Sequence, residues 1–255
     1  MLNLKNITLF TVYVPWDKSK IVESDFQDGE KTKVLNDGIE KTIKALYTCL
    51  NFAEFGSVKF ITSKQVIDQY GSELLKDGII CEEPSIPIIN MKEYARFMIY
   101  YLNQHIETEF TLTIQYDGFI INPDAWRDEF LDYDYVGAPW PWRENSYITP
   151  FENHISVGNG GFSLRSKKLL EVPSKVEVPF DVVEMNNFYK MFGSINWNED
   201  GNICVHNRHI FEDQGCKFAP IDIAKYFSHE TTMEVNRGII PFGYHANLPE
   251  GIEVI

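Results

Sequence analysis

The chain reads as an α/β protein built on a mostly parallel sheet flanked by helices, and three observations lead there. From Ile7 to about Leu75, strand-like and helical apolar spacings alternate, the order that makes a parallel sheet with right-handed crossovers. Thr111–Asp124, TLTIQYDGFIINPD, holds runs that are apolar on both strand faces, as in the central strands of helix-covered sheets. No linker-like stretch, low-complexity segment or repeat divides the 255 residues, so a single domain over 1–255 is expected.

Taken in order, ITLFTVYV (Ile7–Val14) is the first strand, stopped at Pro15 and followed by a polar loop. Leu35, Ile39, Ile43, Leu46, Tyr47 and Leu50 recur at helical spacing between Val34 and Phe52, with Gly56 as the stop. VKFI (Val58–Ile61) is a short second strand, and Ser63 caps a helix running to about Leu75. Gly78–Ile89 reads as a strand fragment and a proline-spaced connector. Asn90, three positions before Glu93, starts the next helix in capping-box fashion. That helix puts Tyr94, Phe97, Met98 and Tyr101 on one face, and Lys92 with Arg96 on the other. The two cations are either solvated surface or aimed at an anion near the mouth of the sheet.

Next comes the stretch around Asp117. A carboxylate placed where a buried strand loses its regular pairing sits at the carboxyl edge of the sheet, where open α/β sheets bind ligands. Asn122 and Pro123 suit the N-cap and first position of a short helix, PDAWRDEFL. Tyr133–Gly137 is a further strand running into a stiff Trp140-Pro141-Trp142 loop, whose indoles either stack on a sugar or cap a core edge. VGNGGFSLR (Val157–Arg165) gathers glycines around Asn159; these permit close backbone approach and positive φ, but without phosphate-loop spacing. Ser166 caps KKLLEV. WNED (Trp197–Asp200) precedes a helix through Cys204, Ile210 and Phe211, with Asp200 suited to its N-cap. IDIAKYF is a later helix, and the segment from Ile239 to His245 closes the pattern.

A formal net charge of −14 argues against nucleic acid and against an anionic membrane surface as partners. An anionic ligand stays possible where a metal ion or a few placed cations invert the local field. The N-terminal residues are too polar for a signal peptide and no apolar run reaches membrane-spanning length, so a cytoplasmic location without membrane insertion is expected. Cys49, Cys81, Cys204 and Cys216 form no C-x-x-C pair and read as reduced thiols. Cys204, His206, His209 and Cys216 lie near one another in sequence, but their spacing matches no zinc pattern.

From about Lys92 to His245 the ordered motifs QYDG, GAPWPW, GNGGFSLR, EDG and FG-aromatic-His resemble the GT-A class of nucleotide-sugar glycosyltransferases, and more closely a bacterial and viral group carrying these same motifs. The resemblance implies a single-domain GT-A-like (Rossmann-like) fold, with a nucleotide-binding half over about 1–110 and a metal, donor-sugar and acceptor half over about 111–255. QYDG would stand where that fold carries its Asp-x-Asp metal motif, which makes Asp117 one of the motif's carboxylates. Gly118 leaves one acid where two are usual. His245 resembles the C-terminal histidine that completes a Mn2+ or Mg2+ site. Thr11, Tyr13, Lys92, Arg96, Asp117, Gly160 and Gly161 would meet the donor, a UDP-sugar by default. Trp140, Trp142 and Asn159 would face the sugars. Asp200 would be the general base of an inverting transfer to a glycan or other hydroxyl acceptor, with Glu199 binding acceptor or supporting it. At a helix N-terminus Asp200 would stay ionised, and so be a weak base. Adjacent Glu199 and Asp200 cannot straddle a glycosidic bond as hydrolases require. The competing expectation is a non-catalytic nucleotide- or glycan-binding domain with a degenerate metal motif.

Overall fold

A computed structural model describes residues 1–15, 34–140, 157–180 and 198–252, the side chains of 34–37 excepted. The loop after Pro15, Trp142 and Trp197 lie outside the described residues. The central sheet has six strands in the order β3-β2-β1-β4-β8-β5. Its strands are β1 (Leu2–Tyr13), β2 (Ala53–Thr62), β3 (Ile79–Glu82), β4 (Phe110–Ile114), β5 (Tyr135–Val136) and β8 (Phe162–Ser166). The first four pair in parallel, whereas β8 runs antiparallel to both β4 and β5. The expected α/β architecture with a mostly parallel sheet is what the chain forms, and the sheet takes strands from both halves of the sequence.

Each face carries its own core. On one side α1 (Val34–Phe52) and α2 (Lys64–Lys76) bring Leu46, Cys49, Val66 and Leu74 against Leu9, Phe60, Leu112 and Ile114. On the other, α3 (Met91–Tyr100) and α4 (Lys167–Lys175) pack Phe97, Met98, Leu169 and Val172 against Phe10 and Tyr135. Alternation along β1 sends Leu9 and Phe10 into opposite cores, which requires an apolar run on both faces. Ser63, Asn90 and Ser166 cap α2, α3 and α4 through side-chain oxygens that accept from Val66, Glu93 and Leu169 backbone N–H groups. Among the described residues no helix is long and apolar enough to cross a membrane.

Several local expectations differ from the structure. α1 passes into β2 without a break, so Gly56 is no helix stop. It lies within β2, where a Cβ would come 2.1 Å from the Lys5 carbonyl oxygen. PDAWRDEFL forms two 3-10 turns, Pro123–Ala125 and Asp128–Asp132, instead of a helix. Asn122 is the N-cap of the first turn and Pro123 opens it, as expected, but the cap is made by the Asn122 carbonyl, and its Nδ2 donates to the Ile240 carbonyl. Phe119–Ile121 is not a strand of the main sheet but an arm, bridged at Ile120 to Gly243. Smaller pairs complete the fold: β6 (Ala138–Pro139) with β7 (Val157–Gly158), and β9 (Ser228–His229) with β10 (Gly243–Tyr244).

Candidate functional site

The strand order reverses at β1, which has β2 on one side and β4 on the other, and such a reversal opens a crevice at the carboxyl ends of the strands. A cavity of about 390 Å³ lies at that edge, lined by Val14, Pro15, Ser63, Lys64, Glu83 and Ile86 among others. Beside it, β4 ends in a tight turn closed by the Gly118 N–H donating to the Gln115 carbonyl at 3.0 Å, and Asp117 sits in this turn.

The arm after the turn decides what Asp117 faces. Ile121 N–H donates to Phe242 O, Tyr244 N–H to Phe119 O, and Ala246 N–H to Asp117 O, the last at 3.0 Å. These bonds bring His245 alongside, with its Nε2 3.6 Å from Asp117 Oδ1 and 3.2 Å from Gln115 Oε1. The imidazole lies on Gly161, where a Cβ would come within 2.2 Å of ring atoms. On its far edge Nδ1 is 3.6 Å from Glu230 Oε1, and Glu230 Oε2 accepts from Trp140 Nε1 at 2.7 Å. Burial disfavours a charged His245, but the carboxylates of Glu230 and Asp117 outweigh it, so the ring titrates above the usual histidine value.

Asp200 reaches Gly160, the residue beside Gly161 in the same loop. Its helical segment begins with Glu199–Gly201 (α5) and widens into a π-helical turn over Asn202–His206. Its N-cap is Asn198, so Asp200 is not the cap it was expected to be. Instead its carboxylate bridges two backbone donors, Gly160 N–H at 2.9 Å and Gly201 N–H at 2.7 Å. Those bonds favour the ionised form, yet burial and then the charges of Glu199 and Glu230 win, pushing the carboxyl up to about 7. Asp200 is therefore a stronger base than a helix N-terminus alone would make it.

The remaining expected site residues divide clearly. Glu199 is buried, its Oε1 meeting the fully buried Arg165 Nη2 at 3.2 Å and lying against Gly160, a position that fixes α5. Thr11 is buried and its hydroxyl donates to Ile114 O across β1 and β4. Tyr13 is half-buried against α1 at Gly38. Lys92 and Arg96 lie over the Phe180 ring, with Arg96 3.7 Å from Glu93; neither pairs with Asp117 among the described residues. Asn159 is fully buried, and its Oδ1 accepts from Gly161 and Phe162 N–H. It is Asn159, at φ 85°, that supplies the left-handed turn expected of the neighbouring glycines. Trp140 rests on Gly158 with its indole N–H committed to Glu230.

Gly118 is a different case. A Cβ there would lie 2.7 Å from Gly161 O and 3.0 Å from Tyr244 O, so the position is closed by backbone and could not hold an acid. In an Asp-x-Asp spacing the partner of Asp117 is Gln115, whose Oε1 faces His245 and whose Nε2 donates to the Tyr94 hydroxyl. The site residues missed by sequence reasoning are Gln115, Glu230 and Arg165. Spacing within QYDG pointed to Gln115, whereas no motif marks Glu230.

Asp117 Oδ1 and His245 Nδ1 are buried without hydrogen-bond partners among the described residues. Asp117 Oδ1 and His245 Nε2, 3.6 Å apart, can both reach one divalent ion at roughly 2.1–2.2 Å, provided diphosphate and water fill most of its shell. No group of three or more His, Cys, Asp or Glu side chains suited to a metal occurs among the described residues, Cys204, His206, His209 and Cys216 included.

A family model described as "Protein of unknown function (DUF5672)" matches residues 83–245. No curated protein matches the chain in sequence. In structure it is similar to apo mouse xyloside xylosyltransferase 1, with a TM-score of 0.49 and 10% identity over 97% of this chain and 98% of that one. It is also similar to the inositol-1-phosphate CTP transferase of T. maritima, with a TM-score of 0.42 and 12% identity over 97% and 91% of the two chains. For the 4-diphosphocytidyl-2C-methyl-D-erythritol synthase of Anaerococcus prevotii DSM 20548 the TM-score is 0.33 and the identity 14%, over 82% and 93%.

Proposed function

The chain belongs to the DUF5672 family, and from the site it assembles we propose that it is a glycosyltransferase moving a sugar from a nucleoside-diphosphate sugar, UDP-linked by preference, to a hydroxyl of a glycan or similar acceptor. The observation that carries this reading is Asp200: one carboxyl oriented by two backbone N–H groups and raised to about 7 by burial and neighbouring acids, bonded to Gly160 next to the Gly161 on which His245 lies. A general base works best with a pKa near the operating pH. Asp200 takes the acceptor hydroxyl's proton, while the Gly160 and Gly201 N–H groups keep the carboxylate oriented through the transfer. Glu199, adjacent to Asp200 and tied to Arg165, cannot form with it the pair that a hydrolase sets roughly 5 Å or more apart on opposite sides of the bond.

The cavity at the ends of β1, β2 and β3 takes the nucleoside. Asp117 and His245 Nε2 would hold Mn2+ or Mg2+ together with the donor diphosphate. When bound, that ion supplies positive charge to the departing diphosphate. Gln115 in the place of a motif acid favours a second reading, a nucleotide- or glycan-binding domain without turnover. A panel of nucleotide sugars assayed for nucleoside diphosphate release, with and without Mn2+, separates the two. Metal-stimulated release from one donor supports the transferase; saturable donor binding without release from any member supports the binding domain. No binding at all refutes both.

A further inference from the structure

Every polar neighbour of the His245 ring described above is an acceptor as placed: Glu230 Oε1 beyond Nδ1, and Gln115 Oε1 with Asp117 Oδ1 beyond Nε2. A neutral imidazole has one N–H and one lone pair, so the position of its proton decides which neighbour is satisfied. With the proton on Nε2, the bare Nδ1 would point at a carboxylate oxygen, lone pair against charge. With the proton on Nδ1, the N–H points at Glu230, and closing the 3.6 Å gap to a hydrogen bond takes a shift of about 0.7 Å. Gln115 then serves the bare Nε2 by a half-turn of its amide: its NH2 donates to His245, and its oxygen accepts from the Tyr94 hydroxyl.

We infer that Glu230 is a positioning residue that fixes His245 in its Nδ1–H form and reserves Nε2 for the side shared with Asp117. The second Glu230 oxygen is occupied by the Trp140 indole N–H, whose ring is braced on Gly158, which leaves Oε1 for His245. Gly161 fixes the imidazole plane from beneath. A histidine whose far nitrogen donates to a carboxylate is the usual arrangement around a metal-ligating imidazole. The tautomer stands on the geometry alone; only its use for cation binding rests on the proposed metal-dependent transfer.

Glutamine at 230 cannot do the same work. Its single oxygen can accept from Trp140 or from His245, and whichever loses it meets an NH2 group. Nitrogen-15 NMR of histidine-labelled full-length protein at alkaline pH, with His245 assigned from His245→Ala, reads the tautomer directly. The expected spectrum shows a protonated Nδ1 and a bare Nε2 in the wild type, and a protonated Nε2 in Glu230→Gln. Trp140→Phe, which frees one Glu230 oxygen and keeps the carboxylate, retains the wild-type form, and it serves as the comparison if Glu230→Gln does not fold. In parallel, Mn2+ binding in the presence of UDP, followed by electron paramagnetic resonance of the free ion, is expected to weaken roughly 10–100-fold in Glu230→Gln. A wild-type ring protonated on Nε2 overturns the inference, and so does an Nδ1–H form that survives in Glu230→Gln. An Nδ1–H wild type that binds no Mn2+ with UDP leaves Glu230 in place and removes the metal reading instead.

Discussion

Asp200→Asn tests both the electrostatics and the chemistry of the site. The Asp200 carboxyl stands at about 7 against an ordinary 3.8, so the folded state holds its proton more tightly than the unfolded chain does. Wild-type stability therefore falls as pH rises from 3.8 to about 7 and is level above that range. Taken whole, the difference is worth about 4 kcal/mol. Asp200 is only partly removed from solvent by area, and screening there halves the working figure to about 2 kcal/mol. Asparagine carries no such charge, but it keeps one oxygen where the carboxylate uses two, on Gly160 and Gly201 N–H. One backbone donor is then unpaired, at about 1 kcal/mol. The variant is expected to be about 1 kcal/mol more stable than wild type near pH 8, and about 1 kcal/mol less stable near pH 4. Urea unfolding at the two pH values measures the swing. A difference that does not change with pH refutes the raised Asp200. In the same variant donor binding should persist and transfer should vanish; an unchanged transfer rate removes Asp200 from the role of base.

Three further substitutions probe separate parts of the site. Glu199→Gln leaves the Arg165 guanidinium buried without its counter-charge, an expected loss of about 3 kcal/mol by urea unfolding, with much of it recovered in Arg165→Met/Glu199→Gln. Gly118→Ala drives a methyl into Gly161 O and Tyr244 O and should cost about 1–3 kcal/mol in a thermal melt, with Gly118→Asp at least as damaging and no tighter for Mn2+. Asp117→Asn should leave stability within about 0.5 kcal/mol of wild type while abolishing Mn2+-dependent UDP binding by calorimetry.

Periodicity and caps carry local information, and that part of the fold was legible. The alternation from β1 to α2, the bounds of α1, and the caps at Ser63, Asn90 and Ser166 all follow from residues within a few positions of one another. The ends of β1 and β2 were not legible, because polar Asn3, Lys5 and Glu54 are strand residues only through the pairing of Leu2–Leu4 with Ala53–Phe55. Asp200 illustrates the same limit at the site. Its sequence suits an N-cap, whereas its raised pKa comes from burial and from the charges of Glu199 and of Glu230, the latter well along the chain, against the opposing bond from distant Gly160. His245 was readable as a terminal motif. Glu230 was not, since what marks it is the approach of Trp140 and His245 from two distant segments.

The apparent gap in the Asp-x-Asp motif changes meaning with the geometry. Gly118 is a packing requirement and has no bearing on ligand number, so the missing acid is at Gln115. Glutamate there keeps the side-chain length that now reaches both Tyr94 and His245, and Tyr94 can donate its hydroxyl to the new carboxylate. Gln115→Glu would thus set a second carboxylate beside Asp117 and His245. Cation affinity grows with the number of charged ligands in a site, so Mn2+ should bind about tenfold more tightly than to wild type. The added charge also sits close to Asp117, and without metal the variant should lose about 1 kcal/mol of stability, restored on adding Mn2+. Tighter binding together with metal-restored stability places Gln115 in the coordination sphere. Lost stability that Mn2+ does not restore means that Gln115 serves only to hold His245, and that the cation, if the site takes one, is bound by Asp117 and His245 alone.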